Sequence, residues 1–458
     1  IFGAKQSSAG IDFNNYDKIP VKVTGEGADQ LDKIDFFVDA QLSEVLAQNL
    51  TRCGYERPTP VQKHAIPIVV SGRDVMACAQ TGSGKTCAFM VPAIESLLRS
   101  GPPQERRRTP APCALVMAPT RELVTQIFEE ARKFSFRSGI RCCVVYGGAD
   151  MRDQRRELNN GCDVLMATPG RLRDMFSRGL VSLACIQFLI LDEADRMLDM
   201  GFEPQVRQIV EQTDLGECAP SRQSMMFSAT FPREVQMMAR DFLNNYIFLT
   251  VGRVGSASEL VEQSVIYSDD RDKVQLLEKV LQETGGGLTL IFVETKRGAD
   301  SLEKDLWRSG LSVAAIHGDR SQHERESALA MFRSGRTPIL IATDVASRGL
   351  DIPNVQLVIN YEMPKAIDDY VHRIGRTGRA GRKGKALAFV NERSGLNRDL
   401  YDLMDENKQE IPDWFEQICR SQRSGGRRKG EGRDRFGGRD HRYERSGKGG
   451  GGGGGGGG

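Results

Sequence analysis

Ala79-Gln-Thr-Gly-Ser-Gly-Lys-Thr86 is the stretch that decides the fold. It follows the apolar run Asp74–Ala79 and opens a long amphipathic stretch, so it reads as a loop between a strand and a helix. Backbone N–H groups of such a loop, with the helix N-terminus behind them, form a cradle for phosphates. Gln80, Thr81, Gly82, Ser83 and Gly84 would supply it. Lys85 would reach the β- and γ-phosphates of a nucleotide, and the Thr86 hydroxyl would ligate Mg²⁺. Ala79 stands where the usual pattern has glycine.

Working outward, Ile190-Leu-Asp-Glu-Ala-Asp195 places acidic residues after another apolar strand. Ligands of doubly wound sheets bind outside the carboxyl ends of the strands. Asp192 would hold Mg²⁺, and Glu193 would orient or deprotonate an attacking water. An acidic helix start alone would prove little, since carboxylates favour helix N-termini. Beside a phosphate loop it becomes specific.

Short apolar runs alternate with amphipathic stretches at Cys113–Ala118, Cys142–Tyr146, Asp163–Ala167, Phe188–Leu191 and Ser224–Phe227. That alternation predicts a parallel sheet covered by helices. It restarts at Leu288–Val293, Val313–Ile316, Pro338–Ala342, Leu357–Asn360 and Ala386–Val390, which predicts a second α/β domain. The expected organisation is an extension over 1–33, a first domain over 34–251, a linker over 252–263, a second domain over 264–423 and a disordered tail over 424–458. The tail is Gly/Arg-rich and ends in ten glycines, too polar to form a core.

The 458 residues are 39% hydrophobic and 27% charged, a globular composition. No run approaches the length of a membrane span, and no membrane association is expected. Ile1–Gly10 lacks the pattern of a signal peptide, and a start at Ile1 leads us to expect a stretch upstream. Ten cysteines without a CxxC pair argue against zinc and a disulfide scaffold, leaving reduced thiols. The tail carries nine Lys/Arg against four Asp/Glu, so a total of +2 leaves −3 for the rest. Nucleic-acid binding by the body would therefore rest on local sites, not bulk charge.

Asp192-Glu-Ala-Asp195 resembles the name motif of the DEAD-box RNA helicases, and the resemblance runs from about Phe37 to Ile418. It implies two tandem RecA-like domains, ATP and Mg²⁺ as cofactors, and RNA as substrate. Gly54-Tyr-Glu-Arg-Pro-Thr-Pro-Val-Gln62 is similar to that family's adenine-reading motif. The likeness implies that Tyr55 stacks on the base, Gln62 bonds its edge, Arg57 contributes its main chain and Phe37 is the upstream aromatic. Pro119-Thr120-Arg121-Glu122-Leu123, Gly147-Gly148 and Thr168-Pro-Gly170-Arg171 resemble motifs that bind RNA backbone. Ser228-Ala-Thr230 resembles the motif that couples nucleotide to RNA.

In the second half, His372-Arg-Ile-Gly-Arg376-Thr-Gly-Arg379 resembles the arginine-finger motif, with His372 in the coupling set. Arg376 and Arg379 would cross the cleft to the γ-phosphate, a device worth about 10³–10⁵ in rate. In Ala342–Asp351 the resemblance assigns Asp351 to the ATP ribose, and Thr343 and Gly349 to RNA. It assigns Gly318, Gln322 and Arg325 to RNA as well. Leu290–Lys296 matches the strand leading this nucleic-acid face.

Gly10–Asp17, Gly201–Pro204, Gly252–Gly255 and Pro412–Phe415 resemble the Belle and Vasa branch. That likeness implies a monomeric core and a cytoplasmic role in translation initiation or RNP remodelling. Initiation factors or the ribosome would be partners, with RNP granules or nuclear shuttling as variants of location. The tail, with Phe436 and Tyr443, suits weak sequence-tolerant RNA binding. Two other classes remain in view: an ATP-gated RNA clamp without turnover, and a DNA translocase. Intact Glu193, Arg376 and Arg379 argue against the first, and the motif around Gln62 against the second.

Overall fold

The computed structural model describes residues 2, 19–80, 82–101, 109–215, 222–252, 260–269, 271–284, 286–344, 354–378 and 383–422. Thr81, Gly349, Asp351 and Arg379 lie outside the described residues, as do 10–17, most of the expected linker and the tail.

The first sheet has eight strands: β1 (Val21–Thr24), β2 (Val75–Ala79), β3 (Ala114–Met117), β4 (Cys142–Val145), β5 (Val164–Ala167), β6 (Phe188–Leu191), β7 (Gln223–Ser228) and β8 (Ile247–Val251). Their spatial order is β1-β8-β2-β7-β6-β3-β5-β4. All pairs are parallel except β1 with β8. β2, β3, β5, β6, β7 and β8 are buried along their whole length, as strands covered on both faces must be. Val75, Ala77 and Ala79 of β2 enter one apolar core and Met76 and Cys78 the other. This is the period-2 alternation of a strand.

The second sheet has six parallel strands: β9 (Val261–Tyr267), β10 (Leu288–Val293), β11 (Val313–Ile316), β12 (Ile339–Thr343), β13 (Val355–Asn360) and β14 (Gly384–Val390). Their order is β11-β12-β10-β13-β14-β9. Edge strand β9 alternates buried and exposed residues, because only one of its faces is fully covered. The two tandem α/β domains follow the alternation in the sequence.

Two strands fall where the sequence reads as irregular. β1 lies inside the segment read as an extension and pairs Val21 with Val251. β9 begins at Val261, inside the segment read as linker. Both are edge strands, and their short pattern is weak until the partner strand is known.

The order of the first sheet separates two jobs. The loops after β2, β7 and β6, which are neighbours, carry Gln80–Thr86, Ala229–Thr230 and Asp192–Asp195. The loops after β3, β5 and β4, the other half of the sheet, carry Pro119–Arg121, Thr168–Arg171 and Gly147–Gly148. The nine described cysteines are free thiols. No helix among the described residues is long and apolar enough to cross a membrane.

Candidate functional site

The phosphate loop is held from behind by the helix Pro60–Val70. Thr59 caps that helix in a reciprocal box with Gln62. The Thr59 hydroxyl donates to the Ser83 carbonyl at 2.7 Å, and the Gln62 amide donates to the Gly84 carbonyl at 3.0 Å. Gly82 and Gly84 both have positive φ, 79° and 88°, a region that favours glycine. A Cβ on Gly84 would also run into the Gln62 amide. Gln62 thus spends one amide hydrogen on the loop and its oxygen on the Thr59 N–H at 2.9 Å.

Gly84 then caps the helix Lys85–Ser100. Lys85 is buried and donates to the Ala79 carbonyl at 2.9 Å. Thr86, half-buried, follows it in the first turn. The Ser83 hydroxyl is buried without a hydrogen-bond partner. Burial without a partner costs a hydroxyl roughly 1–3 kcal/mol, so the loop is shaped for a polar ligand.

Asp192 ends β6, with its carboxylate accepting from the Glu193 N–H at 2.9 Å. Burial pushes its pKa up to about 7, although Lys85 pulls it down. A carboxyl this uncompensated fits a cation. No cluster of three or more His, Cys, Asp or Glu able to hold a metal occurs among the described residues. One carboxylate and the Thr86 hydroxyl are instead the sparse protein set that Mg²⁺ takes when it travels on phosphates.

Glu193 sits in the left-handed region, φ 51° and ψ 52°. That conformation costs a residue with a Cβ roughly 1–2 kcal/mol. One carboxylate oxygen of Glu193 is buried and unpartnered. Strain and an open lone pair coincide at the residue expected to handle water.

Asp195 is the hub. Its Oδ2 accepts from the Thr230 N–H at 3.0 Å, the Thr230 hydroxyl at 2.8 Å and the Ala229 N–H at 3.3 Å. From the second domain, His372 Nε2 comes within 3.5 Å of the same oxygen. Burial works against its charge, yet the His372 contact, Arg196 and Thr230 hold its pKa well below the usual carboxylate range. Burial, with Arg196, lowers the pKa of His372. Arg196 donates to Asp369 of the second domain at 2.5 Å and to Asp199 at 2.9 Å. Arg376 lies buried one turn beyond His372 and donates to its carbonyl at 3.2 Å. Ser228 is fully buried, and its hydroxyl has no partner.

The other half of the cleft is also bridged. Thr120 caps the helix Arg121–Phe134 through the Leu123 N–H at 3.3 Å. Arg121 donates to Gln322 at 3.2 Å, and Arg325 pairs with Glu122 at 2.6 Å. Gly148, φ 86°, leaves the space that the Arg121 guanidinium occupies. Arg171 bonds Gln154 at 3.0 Å and the Ala149 carbonyl at 3.1 Å. Burial lowers its pKa, with Arg121 and Arg178 adding to the effect and Asp174 and Asp150 opposing it. Gly170 has open space around it, while Pro119 and Thr168 are buried. In the second domain Gly318 is exposed beside Lys296, and Thr343 is buried at the end of β12.

Three placements show contacts beside the roles the resemblance implies. Tyr55 packs edge-on against Phe37 (6.0 Å between centroids) and Phe134 (5.6 Å), as part of the domain core. Gln62 braces the phosphate loop. Gln322 and Arg325 contact the first domain. Glu122 and Asp344 lie inside motifs of the sequence but carry no assigned role there, and Arg196 and Asp369 lie outside the assigned residues. Arg373 grips Asp344 in a two-pronged ion pair of 2.5 and 2.7 Å and also reaches Asn360 and the Glu362 carbonyl. A charged side chain within or beside a motif was the only available signal for these residues.

Comparison with known proteins shows which family the chain resembles. Residues 59–238 match the DEAD/DEAH box helicase family, and residues 272–381 match the helicase conserved C-terminal domain. Dbp5 of S. cerevisiae, solved bound to RNA and ADP BeF3, is 28% identical over 85% of this chain and 99% of that one, with a TM-score of 0.71. A Dbp5 variant bound to a Gle1 variant and IP6 is 29% identical over 86% of this chain and 99% of that one, with a TM-score of 0.65. Prp28 from Chaetomium thermophilum, bound to ADP, is 35% identical over 90% of this chain and 98% of that one, with a TM-score of 0.46.

Proposed function

The chain belongs to the DEAD-box family of ATP-hydrolysing RNA helicases, and from that premise we propose how its residues divide the work. ATP sits on the loop Gln80–Thr86, with Lys85 on its phosphates and with Thr86 and Asp192 as the groups for Mg²⁺. Bound Mg²⁺ would neutralise charge on the β- and γ-phosphates. Glu193 orients the attacking water and takes its proton. Arg376, joined by Arg379, faces the charge that develops on the transferred phosphoryl group. RNA lies across the loops after β3, β4 and β5 and across the second domain, held by backbone and 2′-OH contacts that read shape rather than sequence.

The observation that carries this reading is Asp195. One carboxylate oxygen takes three hydrogen bonds from the coupling loop of its own domain and faces His372 of the other. The acidic motif at the nucleotide is therefore fixed within its own domain and meets the second domain directly through His372. ATP and RNA then favour the closed state because each makes contacts there that the open state lacks. A straight duplex fits that face poorly, so closure bends one strand and separates a short duplex locally. Hydrolysis and phosphate release reopen the clamp.

The cellular role we propose is translation initiation on structured messages, or RNP remodelling, in the cytoplasm, with initiation factors or the ribosome as partners. Support comes from the Belle-like flanking segments. One of these, Pro412–Phe415, packs Trp414 on Tyr267 at 5.8 Å and buries Phe415.

Steady-state ATP hydrolysis with and without single-stranded RNA, alongside Glu193→Gln, tests the enzymatic core. We expect strong RNA stimulation in the parent, with turnover nearly abolished in the variant while ATP and RNA binding persist. RNA binding without turnover in the parent would move the protein to the clamp class. Normal hydrolysis by the variant would remove Glu193 from the catalytic role.

A further inference from the structure

The turn that braces the phosphate loop has a second side. Thr59 and Gln62 point to the loop, while Pro60, Lys63 and His64 line a cavity of about 460 Å³ on the outside. That volume is within the range of small-molecule sites, roughly 300–1,000 Å³. The walls are basic: Lys33, Arg57 and Lys63 face one carboxylate, Asp35, among the described lining residues. Lys63 is only 7% exposed, and Asp35 lies 3.7 Å from both Lys33 and Lys63. Phe36 is 52% exposed, with the Arg57 guanidinium 6.0 Å from its ring centroid.

A large exposed aromatic beside three cations is a costly surface to leave bare. Its chemistry matches a flat ring that carries a phosphate. Base–aromatic stacking is worth about 1–3 kcal/mol, and cations position phosphates. An acidic peptide would use the charges but not the ring; inorganic phosphate would leave most of the volume empty.

We propose that this cavity binds a nucleoside phosphate, with its base on Phe36 and its phosphate among Lys33, Lys63 and Arg57, apart from the phosphate-loop site. Free nucleotides and the phosphorylated end of an RNA share that chemistry. The site reports on itself through His64. Burial lowers the pKa of His64, and Lys33 and Lys63 add to the effect while Asp35 opposes it. A phosphate between the lysines reverses that field and raises the His64 pKa.

The chain has five histidines, so His64 is resolvable by NMR. The probe is uridine monophosphate, titrated against the full chain and against Lys85→Ala, which disables the phosphate loop. We expect a saturable rise of the His64 pKa at low-millimolar nucleotide in both proteins. Lys33→Glu and Phe36→Ala change exposed side chains and should each weaken binding by about fivefold or more, the effect of one lost surface contact. An oligouridylate with a 5′-phosphate, compared with its 5′-hydroxyl form, separates the sources. A phosphate-dependent response assigns the site to RNA ends, and a response to the mononucleotide alone assigns it to free nucleotides. No saturable change at His64, or a change that disappears in Lys85→Ala but not in Lys33→Glu and Phe36→Ala, overturns the proposal.

Discussion

The cleft is bridged twice, and the two bridges are built differently. On the nucleotide side, Asp195 and Arg196 meet His372 and Asp369. On the RNA side, Arg121 and Glu122 meet Gln322 and Arg325. Asp195 already holds three hydrogen bonds inside its own domain, so its position is set before the second domain arrives. Glu122 and Arg325 form a simple pair, with side chains 7% and 12% exposed, at the start of a helix whose neighbouring groups are assigned to RNA. The first bridge is preorganised, and we propose that it serves the chemical step. We propose that the second is exchanged for RNA contacts when RNA binds.

Removing the hub should have the largest effect. Asp195→Ala leaves His372, Thr230 and two N–H groups without their acceptor. Breaking a buried hydrogen-bonded charge contact costs about 2–5 kcal/mol, so kcat should fall by roughly 10²–10³. RNA binding without nucleotide should change far less, which equilibrium binding would show. Equal losses in both would erase the distinction between the bridges.

Glu122→Arg comes next. It sets two arginines face to face, and half-saturation by RNA should rise about tenfold while kcat at saturating RNA changes little. Glu122→Arg combined with Arg325→Glu should recover most of the loss. Failure to recover would mean that both residues act on RNA directly.

A smaller effect concerns Asp192. Burial raises its pKa to about 7, so the fold prefers its protonated form. That contribution is complete below about pH 4, the range of an unfolded aspartate, and is lost as pH rises through about 7. Without nucleotide or Mg²⁺, Asp192→Asn should melt at least about 2 °C higher than the parent at pH 8, a gain that shrinks at pH 5. Thermal melting at the two pH values checks the sign. Thr59→Val should have the smallest effect, with one hydrogen bond to the loop, about 1 kcal/mol, raising the KM for ATP a few-fold.

The sequence made the local devices legible. The phosphate loop, the acidic strand end and the alternation of runs are each written in adjacent residues, and each implies its own geometry. What stayed hidden was pairing over distance. Arg325 and Glu122 lie 203 positions apart, and no local pattern says that they meet. The Gln62 amide bonds the Gly84 carbonyl, a main-chain partner that leaves no mark in composition. No motif records that Tyr55 also packs edge-on against Phe37 and Phe134. β1 and β9 stayed hidden for a related reason, since an edge strand is defined by the neighbour it pairs with.

The central claim is that nucleotide and RNA share one closed state. Its most direct test is the affinity for single-stranded RNA with and without ADP and beryllium fluoride, in the parent and in Arg196→Ala. RNA should bind more tightly, by about tenfold or more, with the nucleotide analogue, with most of that gain lost in the variant. Equal RNA affinity in the presence and absence of the analogue would contradict it.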